Sequence, residues 1–260
     1  MSSRFDGSQT GESDEVGLNY RITLAYDGTA YYGWQIQPNQ PTIQGVLSAV
    51  LEKLEGSPVV TYAAGRTDSG VHAEGQVVSF RLSGQWCGKA LLRAINGNLP
   101  LDIRVLEASA VEESFHAQND AKNKTYRYRL YCAEVMDPFL DRYAWHYPHR
   151  LDVERLRDDS RALVGTCDFS AFTVSRCETK TRVRTMTDVR IEQQDFLISI
   201  YFTGEGFLRY QVRTMVGALL DANRGRLKAG SIAKLIVSGN RSLAGTSAPA
   251  RGLTLVKVEY

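Results

Sequence analysis

One ten-residue segment, Ala64–Ala73, constrains the fold of this chain most strongly, because it joins two strand-like runs through a glycine-bounded turn. The β-branched run Val59–Tyr62 precedes it, and the apolar run Val77–Phe80 follows it. Its two glycines allow backbone angles that other residues resist, so the turn can be tight and a ligand can come close. The segment predicts two strands joined by a turn that presents one carboxylate, Asp68.

The residue types around Asp68 favour a chemical role for it. Arg66 lies two residues before Asp68, and a nearby cation favours the ionised form of a carboxylate. An ionised carboxylate held in a turn between strands suits a nucleophile or a general base. Asp68 is therefore the first candidate for a catalytic residue.

Four other interpretations of this segment compete. Asp68 could only cap backbone amides in a structural turn. The Asp-Ser-Gly sequence at 68–70 resembles that of aspartic proteases, which need two carboxylates sharing a proton, whereas Gly-Arg-Thr precedes a single copy here. A phosphate loop would continue with Lys and Ser or Thr, but Val71 and His72 follow. His-Ala-Glu at 72–74 suits a zinc nucleobase deaminase, but no Pro-Cys-x-x-Cys follows to complete the metal site.

Composition predicts a globular protein with packed cores rather than a membrane protein. Hydrophobic residues make up 43% of the 260 residues, and no apolar run approaches the length of a membrane span. No secretory pattern is present at the N-terminus, and the four cysteines form no Cys-x-x-Cys pair, so we expect reduced thiols and a cytoplasmic location. The Ser-, Gly- and acid-rich start predicts a disordered tail over residues 1–18.

The distribution of charge suits a nucleic-acid partner better than the net charge of +2 does. Residues 1–15 contain one basic and four acidic residues, a net charge of −3, so the remainder carries +5. Basic residues alternate with tyrosines over Lys122–Arg129, and a second basic cluster spans Arg176–Arg184. Basic groups bind phosphates and tyrosines stack on bases, so the first cluster predicts an RNA surface, although a solvated strand face is the competing interpretation.

Hydrophobic periodicity predicts two α+β halves that join near residue 115. Thr42 is the expected N-cap of the first helix. Strands are expected at 20–26, 59–63, 76–82, 103–107, 123–131, 184–193, 195–202 and 253–260. Helices are expected at 43–54, 89–95, 153–164, 208–223 and 231–238.

Several motifs in order make this chain similar to the tRNA pseudouridine synthase A family. The central one is Gly-Arg-Thr-Asp-x-Gly-Val-His at 65–72. The other matching blocks are Tyr26–Thr29 with Tyr32–Gln35, Asn96–Pro100, Phe115–Ala117, Lys124–Tyr128, Gly165–Phe172, Gly206–Gly217 and Ala248–Leu253. The resemblance extends from about Tyr20 to Tyr260.

The resemblance implies an α+β fold of two ferredoxin-like (RRM-like) halves, with antiparallel or mixed sheets that form a central RNA-binding cleft. The corresponding domains are an N-terminal domain at 19–115, which carries Asp68, and a C-terminal domain at 116–260. It also implies a homodimer, a tRNA partner, and no cofactor, metal or membrane.

The implied reaction is the isomerisation of uridine to pseudouridine at positions 38 to 40 of the tRNA anticodon stem-loop. Asp68 matches the nucleophile, which attacks either C1′ of the ribose or C6 of the base. Arg66 matches the residue that assists base flipping, and Tyr126 the residue that stacks on the target base and whose hydroxyl could take the C5 proton. Arg213 matches the partner of Asp68, and an arginine among the apolar neighbours of a helix independently needs an anionic partner if it is buried.

The resemblance also predicts RNA contacts outside the reaction centre. Phe115, His116 and Ala117 match one of these segments, and Arg176 and Lys180 match a second. The family usually has an arginine after the first segment, whereas Gln118 follows here, which removes one expected phosphate contact. A non-catalytic RNA-binding module is the competing class of function, and an Asp68–Arg213 pair would distinguish the enzyme from it.

Overall fold

The computed structural model describes residues 17–174, 179–228 and 230–260. The predicted disordered tail lies outside these residues except for its last two, and Leu18 already begins a strand. Ten strands and five α-helices occur in the described chain. In order they are β1 (Leu18–Tyr26), α1 (Ile43–Glu55), β2 (Thr61–Ala63), β3 (His72–Leu82), α2 (Gly88–Asn96), β4 (Ile103–Ala110), β5 (Asn123–Tyr131), β6 (Trp145–His146), α3 (Val153–Ser160), β7 (Gly165–Asp168), β8 (Val183–Gln194), β9 (Leu197–Gly204), α4 (Gln211–Asn223), α5 (Ser231–Ser238) and β10 (Leu253–Glu259).

All ten strands belong to one mostly antiparallel sheet, so the chain has a mixed α+β fold. Eight of them follow the order β4-β1-β3-β10-β5-β9-β8-β7, while β2 pairs with β3 and β6 pairs with β5. The β10–β3 and β5–β6 pairs are parallel. The two halves of the chain therefore share a sheet, and the C-terminal strand β10 joins them.

The two halves meet at a seam formed by β10, which pairs with β3 over few residues and with β5 over many. β10 contacts β3 through the pairs Thr254–His72 and Leu255–Ala73. It runs antiparallel to β5 over six residue pairs, which include Leu255 opposite Tyr126. One residue of β10, Leu255, thus lies between the strand that follows the Asp68 turn and the strand that carries Tyr126.

Local sequence signals explain the boundaries of the first helix. The hydroxyl of Thr42 accepts a hydrogen bond from the Gly45 amide, which satisfies one free donor at the start of α1. Gly56 ends α1 in the left-handed conformation, with φ of +82°. The buried side of α1, including Leu47 and Leu51, joins the hydrophobic core. The predicted cap and helix are confirmed.

Most predicted elements are confirmed, and the differences have local causes. β3 begins at His72 instead of residue 76, because its first residues pair with β10, a contact distant in sequence. α4 begins at Gln211 instead of residue 208, since Tyr210 has a left-handed φ of +63° at the helix start. α3 ends at Ser160, and a 3-10 turn replaces its predicted last residues. The short strands β6 and β7 carry no periodic signal and were not predicted.

Candidate active site

Asp68 lies in the loop between β2 and β3, and the backbone of an earlier segment holds this loop in place. The Trp34 amide donates to the Thr67 carbonyl at 3.0 Å, and the Gly70 amide donates to the Tyr31 carbonyl at 3.2 Å. Within the loop, the Val71 amide donates to the Asp68 carbonyl at 3.1 Å, which closes a tight turn. The carboxylate is thus carried by a backbone that is bonded on both sides of it.

Two glycines of this earlier segment allow it to approach the loop closely. A side chain at Gly28 would lie 2.0 Å from the Val71 carbonyl oxygen, and one at Gly33 would lie 2.7 Å from the Thr67 carbonyl oxygen. Gly33 also has a φ of +86°, which disfavours other residues. The motif around Tyr26–Gln35 therefore functions structurally as a support for the Asp68 loop.

Arg213 on α4 contacts Asp68 directly. Its Nη1 atom donates to Asp68 Oδ2 at 3.3 Å, and its Nε atom donates to the Ala248 carbonyl at 2.7 Å. The Arg213 side chain is 13% exposed and the Asp68 side chain 19% exposed. The arginine among the apolar residues of α4 therefore has the anionic partner that its burial requires.

The surroundings of Asp68 act on its charge in opposite directions. Burial raises the pKa of the carboxyl, and this effect exceeds the opposing effects of the Arg213 charge, the Arg213 hydrogen bond and the Arg209 charge. Arg66 is exposed and is not among the groups that lower this pKa. The expectation that Arg66 keeps Asp68 ionised is wrong, because Arg213 and Arg209 provide the stabilising charge from a distant part of the chain.

Tyr126 on β5 lies on the other side of the seam and faces the Asp68 loop. Its hydroxyl oxygen is 3.6 Å from the position that a side chain at Gly65 would occupy. Its ring contacts the Phe207 ring edge-on, with 4.9 Å between centroids. Burial raises the pKa of the Tyr126 hydroxyl, and the nearby Tyr26 and Asp68 raise it further. The structure therefore brings Asp68, Arg213 and Tyr126 together in one site.

The buried amide of Gln76 holds the start of the Asp68 loop through a hydrogen bond. Gln76 on β3 is fully buried, and its Nε2 atom donates to the Gly65 carbonyl at 2.6 Å. The Tyr26 and Thr67 hydroxyls are 2.9 Å apart, and burial raises the pKa of Tyr26 to about 12. These bonds fix the residues on either side of Arg66 while its own side chain stays exposed.

His72 has a structural position next to this loop. Its Nδ1 atom accepts a hydrogen bond from the Gly28 amide at 3.1 Å and lies 3.2 Å from Asp27 Oδ1. Burial lowers the pKa of His72, which favours the neutral ring that the accepted hydrogen bond requires. The same Asp27 carboxylate accepts a hydrogen bond from the Tyr143 hydroxyl at 3.1 Å, so His72 and Asp27 tie the loop to the second half.

The segment Phe115–Ala117 lies away from Asp68. Ala117 is fully buried, and its amide donates to the Ser79 hydroxyl at 3.1 Å. Ser79 and Gln76 are three residues apart on β3, so their side chains leave opposite faces of the sheet. The His116 ring packs on Tyr62 at 4.5 Å, and the Phe115 ring packs on Tyr260 at 5.0 Å.

The basic cluster of β5 does not form one surface. Strand alternation places Arg127 on the face opposite Tyr126, where Arg127 is only 8% exposed and forms an ion pair with Glu74 at 2.5 Å. Tyr126 and Tyr128 are also buried, so residues 122–129 do not present all their basic and aromatic side chains together on one exposed face. Of the second cluster, Lys180 is exposed, and Arg176 lies outside the described residues.

In residues 17–174, 179–228 and 230–260, no group of three or more His, Cys, Asp or Glu side chains is arranged to hold a metal ion. Within that same part of the chain, no helix has the length and apolar character needed to cross a membrane.

Two residues of the site are not predicted from the sequence. Arg209 affects the pKa of Asp68, and Gln76 supports Gly65. Both signals were present in part, since Arg209 lies four residues before Arg213 and Gln76 is an amide within an apolar strand. Neither can be assigned from local sequence, because both contacts depend on how distant segments pack.

Comparisons with known proteins identify the family of this chain. The sequence profile of a family described as tRNA pseudouridine synthase matches residues 22–120 and 160–260. The chain is 42% identical to tRNA pseudouridine synthase A of Limosilactobacillus fermentum, over 93% of this chain and 95% of that protein. It is 40% identical to the protein of the same name from Acetivibrio thermocellus, over 93% and 99% of the two chains, and 41% identical to that of Bacillus licheniformis, over 94% and 99%. The chain therefore belongs to the tRNA pseudouridine synthase family.

Proposed function

We propose that this protein isomerises uridine to pseudouridine at positions 38 to 40 of the tRNA anticodon stem-loop, with Asp68 as the nucleophile. The observation that carries the proposal is the Asp68–Arg213 pair next to Tyr126, in a member of this isomerase family. A non-catalytic RNA-binding module would not need a carboxylate held in a buried and electrostatically costly position.

The proposed reaction requires no cofactor. The bond between N1 of uracil and C1′ of ribose breaks, and a bond between C5 and C1′ forms. C5 loses a proton and N1 gains one, so the base has the same atoms before and after. Asp68 acts on either C1′ or C6, and each route needs the carboxylate in its ionised form.

Arg213 has two roles in this proposal. Its charge and its hydrogen bond favour the ionised form of Asp68 against the effect of burial. Its second donor is bound to the Ala248 carbonyl, so the guanidinium is fixed and orients the carboxylate. We therefore expect the loss of Arg213 to impair the reaction almost as severely as the loss of Asp68.

Tyr126 is proposed to hold the target base and to assist proton transfer. Its ring lies beside the site, and its hydroxyl points toward the Asp68 loop near Gly65. Burial raises its pKa, so the hydroxyl stays protonated and would relay the C5 proton by passing its own proton on, instead of accepting the C5 proton as a phenolate. Because a base in a paired stem must first leave the stack, the exposed Arg66 is proposed to occupy the vacated space.

The remaining proposals concern the molecule around the site. The half 19–115 has the strand order β4-β1-β3, with β2 on the outer side of β3, and the half 116–260 has the order β10-β5-β9-β8. Both orders support a ferredoxin-like description of the halves, with the cleft at their seam. Lys180 and Arg176 are proposed to contact RNA, and Phe115, His116 and Ala117 to support RNA contacts. We further propose a cytoplasmic homodimer, which light scattering would test against the chain mass of 29.0 kDa.

The test is Asp68→Asn, which keeps the shape of the side chain and removes the nucleophile. We expect the variant to bind tRNA like the wild type and to release no tritium from tRNA labelled at C5 of uridine. The pKa of Asp68 is raised in the fold, so ionisation of this carboxyl costs stability once the pH exceeds its ordinary pKa. The substitution also leaves the largely buried Arg213 without its anionic partner, so the melting temperature of the variant is measured alongside its activity.

Arg213→Lys and Arg213→Ala complete the test. Lysine keeps the charge but cannot bind both Asp68 and the Ala248 carbonyl in the same geometry, so it should recover only part of the activity. Turnover by Asp68→Asn within tenfold of the wild type would refute the nucleophile. Mapping of pseudouridine in tRNA from cells that lack the protein would identify the modified positions.

A further inference from the structure

Two basic side chains, Lys124 and Arg184, flank Tyr126 and have no acidic partner in the described chain. Lys124 Cδ and Cε lie 3.7 and 3.9 Å from the position that a side chain at Gly65 would occupy, next to the Tyr126 hydroxyl. Arg184 Cδ and Nε both lie 3.7 Å from the corresponding position at Gly206. Gly206 precedes Phe207, whose ring contacts Tyr126, so Lys124 lies beside the Tyr126 hydroxyl and Arg184 lies beside the segment that packs on its ring.

The sheet register brings these two residues to the same end of β5 and β8, which are separated by one strand, β9. Lys124 on β5 and Met186 on β8 both pair with Gly204 on the intervening strand β9. Arg184 lies two residues from Met186, so its side chain leaves the same face. Gly204 contributes no side chain at this point, and the Met186 side chain packs over it, with Sδ 3.4 Å from the position that a side chain at Gly204 would occupy.

The hydrogen bonds of Arg184 orient its guanidinium but do not neutralise it. Its Nη1 atom donates to the carbonyls of Thr181 and Val183 at 3.0 and 2.6 Å. Within the described residues, neither Lys124 nor Arg184 is within ion-pair distance of a carboxylate. Burial lowers the pKa of Lys124, and the charge of Arg184 lowers it further, so the two cations repel each other.

We infer that Lys124 and Arg184 together bind one backbone phosphate of the RNA, adjacent to the nucleotide held at Tyr126. This inference rests on the proposed function, because it takes the occupant of the Tyr126 site to be a nucleotide. A phosphate between the side chains replaces their repulsion with two attractions and supplies the anion that the described residues do not provide. Arg184 has further N–H groups for such an oxygen, and Lys124 contributes a point charge.

A pair that positions one phosphate affects the reaction rate, whereas general charge attraction affects only the affinity for tRNA. A phosphate fixed beside Tyr126 determines how far the target base reaches into the site toward Asp68. A misplacement of about 1 Å at a reacting centre can reduce a rate about 100-fold. Loss of the pair should therefore lower the single-turnover rate at saturating tRNA as well as the affinity.

The experiment measures tRNA affinity over a series of salt concentrations for Lys124→Gln, Arg184→Gln and the double variant. Binding is measured in the Asp68→Asn background, where no turnover occurs. We expect affinity to fall about tenfold in the double variant and the logarithmic salt slope to decrease by about one, because one phosphate contact is lost. The slope should not decrease by two, since both cations bind the same phosphate.

The melting temperatures of the variants distinguish a phosphate-binding role of Lys124 and Arg184 from a structural role. Removal of one of two repelling charges should leave the melting temperature of each single variant equal to or above that of the parent. Lys89→Gln, on the helix α2 that packs on the edge strand β4, removes an exposed charge far from the site and should change neither affinity nor rate. Arg184→Lys should recover most of the affinity.

Three outcomes would overturn the inference. One is unchanged affinity and salt slope in the double variant. The second is weaker binding that always accompanies a lower melting temperature. The third is that millimolar inorganic phosphate raises the melting temperature of the Asp68→Asn parent but not that of the double variant, while both bind tRNA equally well. That result would assign the pair to a free phosphate. Absence of tritium release by the wild type would refute the isomerase proposal separately, because the binding measurements do not depend on turnover.

Discussion

The proposed reaction needs the carboxylate of Asp68 in its ionised form, yet the burial of this residue disfavours the charge. Burial raises its pKa, while Arg213 and the exposed Arg209 act in the opposite direction. A carboxylate that is incompletely stabilised by its surroundings retains its nucleophilicity, whereas two strong ion pairs would reduce it. The Arg209 charge lowers this pKa without a hydrogen bond to the oxygen atoms of Asp68.

We predict that Arg209→Gln moves the acidic limb of the rate profile to higher pH. The ionised form of Asp68 predominates only above its pKa, and loss of the Arg209 charge raises that pKa further. The measurement is the single-turnover rate at saturating tRNA as a function of pH. Arg209→Lys keeps the charge and should leave the limb in place. Equal profiles for the wild type and Arg209→Gln would mean that the charge of Arg209 does not reach Asp68.

Two substitutions at Tyr126 separate the ring from the hydroxyl. Tyr126→Phe retains the ring, which contributes roughly 1–3 kcal/mol in base stacking, so tRNA affinity should stay within a few-fold of the wild type. The lost hydroxyl should lower the single-turnover rate by about 10²–10⁴-fold if it relays the C5 proton. Tyr126→Leu should lose both properties. A Phe variant as active as the wild type would reduce Tyr126 to a stacking platform, and an active Leu variant would make it a structural residue.

At the scale of single elements, local sequence predicts what local forces decide. Thr42 and Gly56 define α1 because capping and the left-handed conformation act over a few residues. The start of β3 depends instead on its contact with β10, which is about 180 residues away in the sequence. The residues of the site differ in the same way. Sequence motifs identify Asp68 and Arg213, whereas the Lys124–Arg184 pair depends on strand register and could not be predicted locally.

We predict that Gly33→Ala reduces activity far more than it reduces stability, with Gly56→Ala as its matched control. Both glycines have nearly the same left-handed φ, +86° and +82°, so both substitutions should cost about 1–2 kcal/mol in backbone strain. Only Gly33 faces the Asp68 loop, 2.7 Å from the Thr67 carbonyl oxygen, while the space at Gly56 is open. Displacement of the loop should lower the single-turnover rate about 100-fold.

Melting temperature and single-turnover rate, measured on both glycine variants, make the comparison. Equal rates for the two would show that the early segment does not position Asp68.

At the scale of the whole molecule, the C-terminal segment assembles the site from the two halves. The Ala248 carbonyl fixes Arg213, and the Pro249 carbonyl accepts a hydrogen bond from the Tyr128 hydroxyl at 2.8 Å. β10 follows directly and lies between the strand after the Asp68 loop and the strand that carries Tyr126. The distance between Asp68 and Tyr126 therefore depends on β10 and the segment before it, which no local pattern near Asp68 reveals.

A sheet that is continuous through both halves predicts one cooperative unfolding transition. Calorimetry should give a single peak whose calorimetric and van't Hoff enthalpies agree. Leu255→Ala, at the fully buried position between β3 and β5, should lower the temperature of that whole peak, at a cost of about 2–5 kcal/mol. Leu106→Ala, at a half-exposed position on the edge strand β4, should change it little. Two peaks, of which Leu255→Ala lowers only one, would show that the halves unfold independently and that β10 does not couple them.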